Sequence, residues 1–371
     1  MSTTRELSLA GVRVLDFTTH AVGPFATQIL AGLGATVLKV EHGAGDPERY
    51  TEWPVFLSCN RGKHSVILDL RSDEDRRLAE TLAAGADVLL EGYRPGVADR
   101  LGIGFGRVSE LRPGIVYVSL PGWGSSGPYA SLRGYDTQFR AVAGDAHLNR
   151  DPDGRPRAHT GGPPVFDFAA GMYAVVGILA ALRDAGQTSI RLEVPVLAAG
   201  LAWNFPRLID PTRNAASEHF QYSFRCSDRR WLVLNAPTDE QFVALCRVIG
   251  RPDLAGRADL MGYQARVRQA AYLNQAFEAA LATRPRDEWQ KLFTAAHVPA
   301  MPVREGAEVF TDPQVAHLDV VRCGGQPHAL LPIFGLPQYE LVAPPVPDAD
   351  VAAVRARGWA GLSVGHDIVV K

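Results

Sequence analysis

The chain has 371 residues, 46% of them apolar, long enough for about two domains around a large buried core. Lys and Arg total 38 against 40 Asp and Glu, a formal net charge of −2, which excludes a general attraction to nucleic acid or an anionic membrane and leaves any anion site local. Cys59, Cys226, Cys246 and Cys323 are dispersed with no CxxC pair, and there is neither a signal core nor a run of roughly 20 apolar residues, so a reducing cytoplasm, no membrane contact and no metal centre are expected.

In chain order, Val12–Phe17 (VRVLDF) reads as a buried strand, Pro24–Gly32 as an apolar helix and Thr36–Val40 as a second strand, a βαβ opening. The pattern recurs with a strand at Ser65–Leu70, a helix from Ser72 with acids in its first turn, and strands at Asp87–Glu91 and Ile115–Leu120. Strands alternating with helices predict a mostly parallel sheet covered on both faces. From Pro121 to Pro164 the chain is rich in Gly, Pro, Ser and Asp, and an apolar helix follows at Phe168–Leu182. Arg191–Val196 reads as a last strand and Pro206–Glu218 as part of a polar linker.

The expected organisation is a large α/β domain over 1–197, completed by 330–371, a linker at 198–220, a small α+β domain at 221–305 and a second linker at 306–329. The small domain opens with a hairpin turning at Ser227–Arg230, and amphipathic helices are expected at Asp239–Ile249 and Gln264–Thr283.

Several residues carry possible chemistry. The first strand runs into DFTTHAVGPFATQILAGLGATVLKVEHGAGDPER, which places small residues and a helix N-terminus where a parallel sheet offers its ligand crevice. Neither GxGxxG nor a P-loop lysine is present, so nicotinamide, flavin and ATP have no motif behind them. Asn60, Arg61, Lys63 and His64 form one basic loop and Arg94 with Arg100 another, either solvated surface or a grip for phosphates. Asp167 follows Gly161, Gly162, Pro163 and Pro164 and precedes the apolar helix. By position it reads first as an N-cap, and the same physics allows a carboxylate held ionised by the helix terminus for nucleophilic work. His20, at the end of the first strand, is a packed or solvated histidine or, if it reaches the crevice, a base.

Together, LAGVRVLDFT, GPFATQILAGLGATVLKVEHGAGDPER, NRGKHSVILDL, ADVLLEGYRPGVADRLGIGF, YVSLPGWGSSGP, GYDTQF and DFAAGMYAVVGILAAL resemble the class III CoA-transferase family, CaiB/BaiF, over nearly all of residues 8–183. That family holds formyl-CoA and carnitine CoA-transferases and the α-methylacyl-CoA racemases. The resemblance implies a Rossmann-like parallel-sheet domain, an interlocked homodimer and a catalytic Asp at the position of Asp167. It places Tyr135 and Asp136 beside that acid and Asp239 as a contribution from the second domain. It implies CoA contacts from His42, Lys63, Arg94 and Arg100, with His42 standing where the family carries arginine, and adds His20 and Asn60 as candidate binding residues. No cofactor is expected to be tightly bound, since CoA enters as an acyl thioester substrate with a carboxylic acid as its partner.

Racemases of the family carry His where this chain has Tyr135, which turns the resemblance toward CoA transfer through an aspartyl anhydride and an aspartyl-CoA thioester. The chain length and the GYRPG and GWGSSGP segments resemble the racemases, and the glycine-rich loop of many transferases is missing between Gly200 and Asp239. An α-methylacyl-CoA racemase or acyl-CoA isomerase or dehydratase, and a relative acting on a non-CoA ligand, are therefore the alternatives.

Overall fold

The computed structural model describes residues 7–148, 155, 156, 162–184, 186, 188–209, 222–322, 328–341, 343–362 and 368–370. Gly161, Cys323, linker residues 210–220 and Gln221, where the small domain was expected to open, lie outside the described residues. The chain divides into two compact units, Met1–Phe205 with Val315–Lys371, and Pro206–Gln314.

The first unit is built on six parallel strands, β1 (Arg13–Phe17), β2 (Thr36–Glu41), β3 (His64–Ile67), β4 (Val88–Glu91), β5 (Val116–Ser119) and β6 (Ile190–Glu193), in the order β3-β2-β1-β4-β5-β6. The central strands are runs of Val, Ile and Leu because both faces are covered. Alternate residues feed two cores: Val14, Val37, Leu90 and Val118 on one face, Leu15, Leu38, Leu89 and Tyr117 on the other. Strand order reverses between β1 and β4, and the carboxyl ends of strands at such a point leave a crevice between diverging loops.

Helix α1 (Val22–Gly32) and helix α4 (Val165–Asp184) pack on the first face, α2 (Asp73–Ala84) on the second, and α3 (Asp136–Val142) joins the crevice loops. A Cβ on Gly171 of α4 would sit 2.8 Å from the Val22 carbonyl oxygen, so glycine sets the close approach of α1, and Phe25 stacks on Phe168 at 4.5 Å. Contrary to the expectation that no apolar run approaches membrane length, α4 has 20 residues and is apolar enough to cross a membrane by length and composition. Its apolarity has a local cause, since Ala170, Ala174, Val175 and Ile178 are buried in this unit.

Among the element boundaries that differ from the sequence reading, two have a local cause, while the expected strand to Val196 stops at Glu193 and a helix, Val196–Ile209, occupies the first part of the expected linker. The strand expected to Leu70 ends at Ile67, because Leu68 makes its bond to the Glu41 carbonyl (2.9 Å) and Asp69 then accepts the Ser72 N–H (2.8 Å) in a turn. The single helix expected at Gln264–Thr283 is two, Tyr263–Arg268 and Ala270–Leu281, broken where buried Arg266 turns inward to Asp239, the Leu260 carbonyl and the Pro237 carbonyl at 2.5, 3.1 and 2.6 Å.

The second unit has the antiparallel sheet β7-β8-β9 (Ser223–Arg225, Trp231–Leu234, Ala300–Pro302), with the expected hairpin joining the first two strands. Its core gathers Phe224, Leu232, Phe242, Phe277, Trp289 and Phe293. In the first unit, residues 343–362 return to β3 and α2. Asp350 accepts the Ser65 N–H (2.9 Å), Asp348 accepts the Ile67 N–H (2.8 Å), and the buried Trp359 indole donates to the Leu82 carbonyl (2.8 Å).

Candidate active site

At the crevice lies a cavity of about 270 Å³, formed by the segments after β1 (Thr18–His20), β4 (Gly92–Pro95) and β5 (Leu120–Trp123), with Arg133 and Tyr135 ahead of α3 and Asp167 in α4. The N-terminal residues Val22 and Gly23 of α1 and the first turn of α4 both border it, which favours negative charge. A second hollow of about 350 Å³, lined by Phe17, Val40, His42, Leu68, Leu70 and Arg71, shares Thr19 and Tyr93 with the first.

Asp167 was read as the residue preceding the apolar helix, but the helix begins at Val165 and Asp167 is its third residue. The capping role falls to Asp136, 30 positions upstream, whose Oδ1 accepts the Phe166 N–H at 2.9 Å. The Asp167 carboxylate accepts no hydrogen bond among the described residues. Burial, then the charges of Asp136 and Glu48, push its pKa up to about 8, so the expectation of a carboxylate already ionised at neutral pH is corrected. One side of the group opens to the cavity, but the rest is packed and no cation faces it closely enough to offset the loss of water. Asp136 is raised as well, by burial, against the Phe166 N–H and Arg140, whose guanidinium lies 3.8 Å away and bonds Asp145 at 2.6 Å.

Beneath the first loop lies a buried set of three acids and three bases. Asp16 accepts from the Thr18 N–H (2.9 Å), the Thr18 hydroxyl, the Thr27 hydroxyl (2.6 Å) and Lys63 (3.3 Å). Lys39 donates to the Thr18 carbonyl at 2.7 Å and pairs with Asp46 at 2.8 Å. Arg49 makes a two-pronged pair with Glu41 at 2.9 and 2.6 Å, its guanidinium over the Phe56 ring at 4.1 Å. Burial opposes ionisation of Asp16, but Lys63 and Lys39 hold it below the usual carboxylate range, while burial brings Lys63 down to about 8. These pairs fix the backbone of Thr18 to His20, which forms one wall of the cavity.

The sequence-derived residues separate accordingly. Asp167, Tyr135, His20 and Arg94 line one cavity, Asp136 lies behind Asp167, and His42 lines the second hollow. Asn60 and Lys63, read as phosphate contacts, are buried instead. The three donors of Lys63 are directed at Asp16, the Pro24 carbonyl (2.9 Å) and the Asn60 side-chain oxygen (2.9 Å), leaving none for a ligand. Arg100 is exposed at the end of a short helix, Val97–Arg100, outside both hollows, and Asp239 is bound to Arg266 and the Gly262 N–H (2.7 Å) within the second unit. Glu48 and Arg133 were missed. Glu48 stood in the GDPER segment as one charge among several, and only its bond to His20, 2.8 Å, gives it a place.

Comparison with known proteins agrees with this architecture. The chain is 31% identical over 333 residues to the succinyl-CoA:glutarate CoA-transferase of Mus musculus, covering 84% of this chain and 76% of that one. It is 32% identical over 336 residues to the acetyl-CoA:oxalate CoA-transferase of Acetobacter aceti, covering 85% and 86%. The crystal structure of a CAIB/BAIF family protein from Brucella suis matches with a TM-score of 0.84 at 27% identity, over 95% of this chain and 99% of the other. Residues 9–342 match the family described as CoA-transferase family III, so the chain is an enzyme and belongs to CoA-transferase family III.

Proposed function

We propose that the enzyme moves CoA between an acyl-CoA thioester and a short dicarboxylic acid through a covalent intermediate on Asp167. The observation that carries this reading is the Asp167 carboxylate, without a hydrogen-bond partner among the described residues and open to the cavity at the head of α4. An unpaired acid in that position is a poor structural element and a good nucleophile once ionised.

The ionised oxygen attacks the thioester carbonyl, the C–S bond breaks, and CoA leaves as the thiolate, giving an aspartyl-acyl anhydride. The thiolate attacks the aspartyl carbonyl, releasing the acyl group as a carboxylate and leaving an aspartyl-CoA thioester. The acceptor carboxylate repeats the two steps in reverse, which yields its CoA thioester and free Asp167. The hollow containing His42 suits the apolar nucleotide base, with Arg94 toward the phosphates and pantetheine, and Arg133 is available to the far carboxylate of a dicarboxylate. The dicarboxylate class follows the glutarate and oxalate enzymes among the relatives.

A homodimer is part of the same reading. Met172, Tyr173, Val176 and Leu179 on α4, and Leu201, Trp203, Phe205 and Ile209 on α5 (Val196–Ile209), are large, apolar and exposed, and a second copy of the chain would cover them.

The test is mass spectrometry of the intact protein after incubation with succinyl-CoA or acetyl-CoA, with hydroxylamine trapping mapped to a peptide. A modification on Asp167, lost in Asp167→Ala with the fold retained, supports the reading. Transfer activity surviving in Asp167→Ala would sink it.

A further inference from the structure

We propose that His20, oriented by Glu48, accepts the proton of Asp167 before the attack on the thioester and then faces the departing CoA thiolate as a cation. This rests on Asp167 being the nucleophile. Four observations lead to it. His20 and Asp167 line the same cavity. The His20 Nδ1 is 2.8 Å from the Glu48 Oε1, so with Nδ1 protonated the lone pair of Nε2 is free. The His20 ring meets the Tyr135 ring edge-on at 5.7 Å, which limits its tilt. The backbone of His20 sits at φ 62°, a left-handed conformation uncommon outside glycine, and residues held in such conformations cluster at functional sites.

That backbone is held from below. Asp46, buried and paired with Lys39 at 2.8 Å, accepts both the His20 N–H (3.3 Å) and the Glu48 N–H (3.0 Å), so one carboxylate fixes the two members of the pair. Thr51 donates to the other oxygen of Glu48 at 3.0 Å. The charged or titratable groups around the imidazole are thus Glu48 and Asp46 behind it, Tyr135 at its edge, and Asp167, Tyr93, Arg94 and Arg133 across the cavity.

Asp167 holds its proton to about pH 8, and Glu48 is one of the charges responsible, so the acid needs a base at neutral pH and the histidine's own partner lies within its electrostatic reach. The proton passes from the Asp167 oxygen to Nε2, directly or through one water. The imidazolium is then paired with Glu48 while the carboxylate attacks, the C–S bond breaks, and the thiolate forms opposite a positive charge. When the second thioester is complete and Asp167 is free again, the proton returns to it.

The test compares wild type with His20→Asn, because asparagine tolerates left-handed backbone and has no base at neutral pH. The rate of covalent modification of Asp167 by acyl-CoA is followed by quenched-flow mass spectrometry from pH 6.5 to 9.5. We expect His20→Asn to be at least tenfold slower at pH 6.5 and to approach wild type above pH 9, where hydroxide ionises Asp167. Glu48→Gln, a second variant, should show a smaller loss of the same pH dependence. A His20→Asn rate equal to wild type at pH 6.5, or depressed by one factor at every pH, overturns the role of His20 and leaves Asp167 intact. Modification of wild type at some other residue, or none, overturns both.

Discussion

Replacing Asp167 by Asn should make the protein more stable, by an amount that grows with pH. In the native state the acid keeps its proton to about pH 8, against an ordinary value of 3.8, because burial and the charges of Asp136 and Glu48 disfavour the anion. A folded-state pKa above the unfolded one contributes stability that is complete below the unfolded value and is lost as pH rises toward the folded value. Between the ordinary value of 3.8 and about pH 8 the loss approaches about 1.4 kcal/mol per pH unit, a ceiling of about 6 kcal/mol. The face of Asp167 open to the cavity reduces this to about 2 kcal/mol by solvent screening. Asparagine has the same shape and no proton to lose. Urea or thermal denaturation of both proteins from pH 3 to 9 measures the difference, which should be near zero at pH 3, rise to about 2 kcal/mol at pH 8 and then level off. A difference that is constant across this range, or that shrinks with pH, would refute the raised pKa and the cause assigned to it.

Asp136→Asn keeps an oxygen for the Phe166 N–H but removes one of the two charges raising Asp167, so the rising part of that curve should end at a lower pH. Trp359→Ala removes a ring packed on Gly85 and bonded to the Leu82 carbonyl, and a loss of about 3–5 kcal/mol in urea denaturation is expected. Lys63→Met leaves Asp16 buried without its nearest base, and should cost about 3–5 kcal/mol by the same measurement. His42→Ala removes a side chain from the outer hollow only, so steady-state kinetics should show a several-fold higher KM for acyl-CoA with kcat within about twofold.

The parallel sheet was legible because its strands are short runs of Val, Ile and Leu between turn residues, and that pattern has few other solutions. The polar residues were harder to place, since sequence position says which loop a residue occupies and not which way it points. Lys63 and Arg94 both stand on loops beside strand ends in basic clusters. One is turned under β1 onto Asp16, the Pro24 carbonyl and the Asn60 side chain, the other into the cavity. The cap of α4 was hidden for a related reason: the acid nearest the helix is exempt from capping because Asp136, arriving from another segment, does that work. The His20–Glu48 pair joins residues 28 positions apart, and nothing in the intervening sequence has the spacing of a motif.

The β3 edge has a further consequence for how the protein is made. The N–H groups of Ser65 and Ile67 are satisfied by Asp350 and Asp348, residues synthesised 285 and 281 positions later. Until that stretch leaves the ribosome, a nascent chain can align five of its strands against one another and still present a bare, pairing-competent border on the sixth. Two acids synthesised that much later thus act as a late latch. Truncations upstream of residue 348 should leave a sheet that is nearly complete and prone to join its neighbours, so that premature termination would be seen as aggregation before it was seen as lost catalysis.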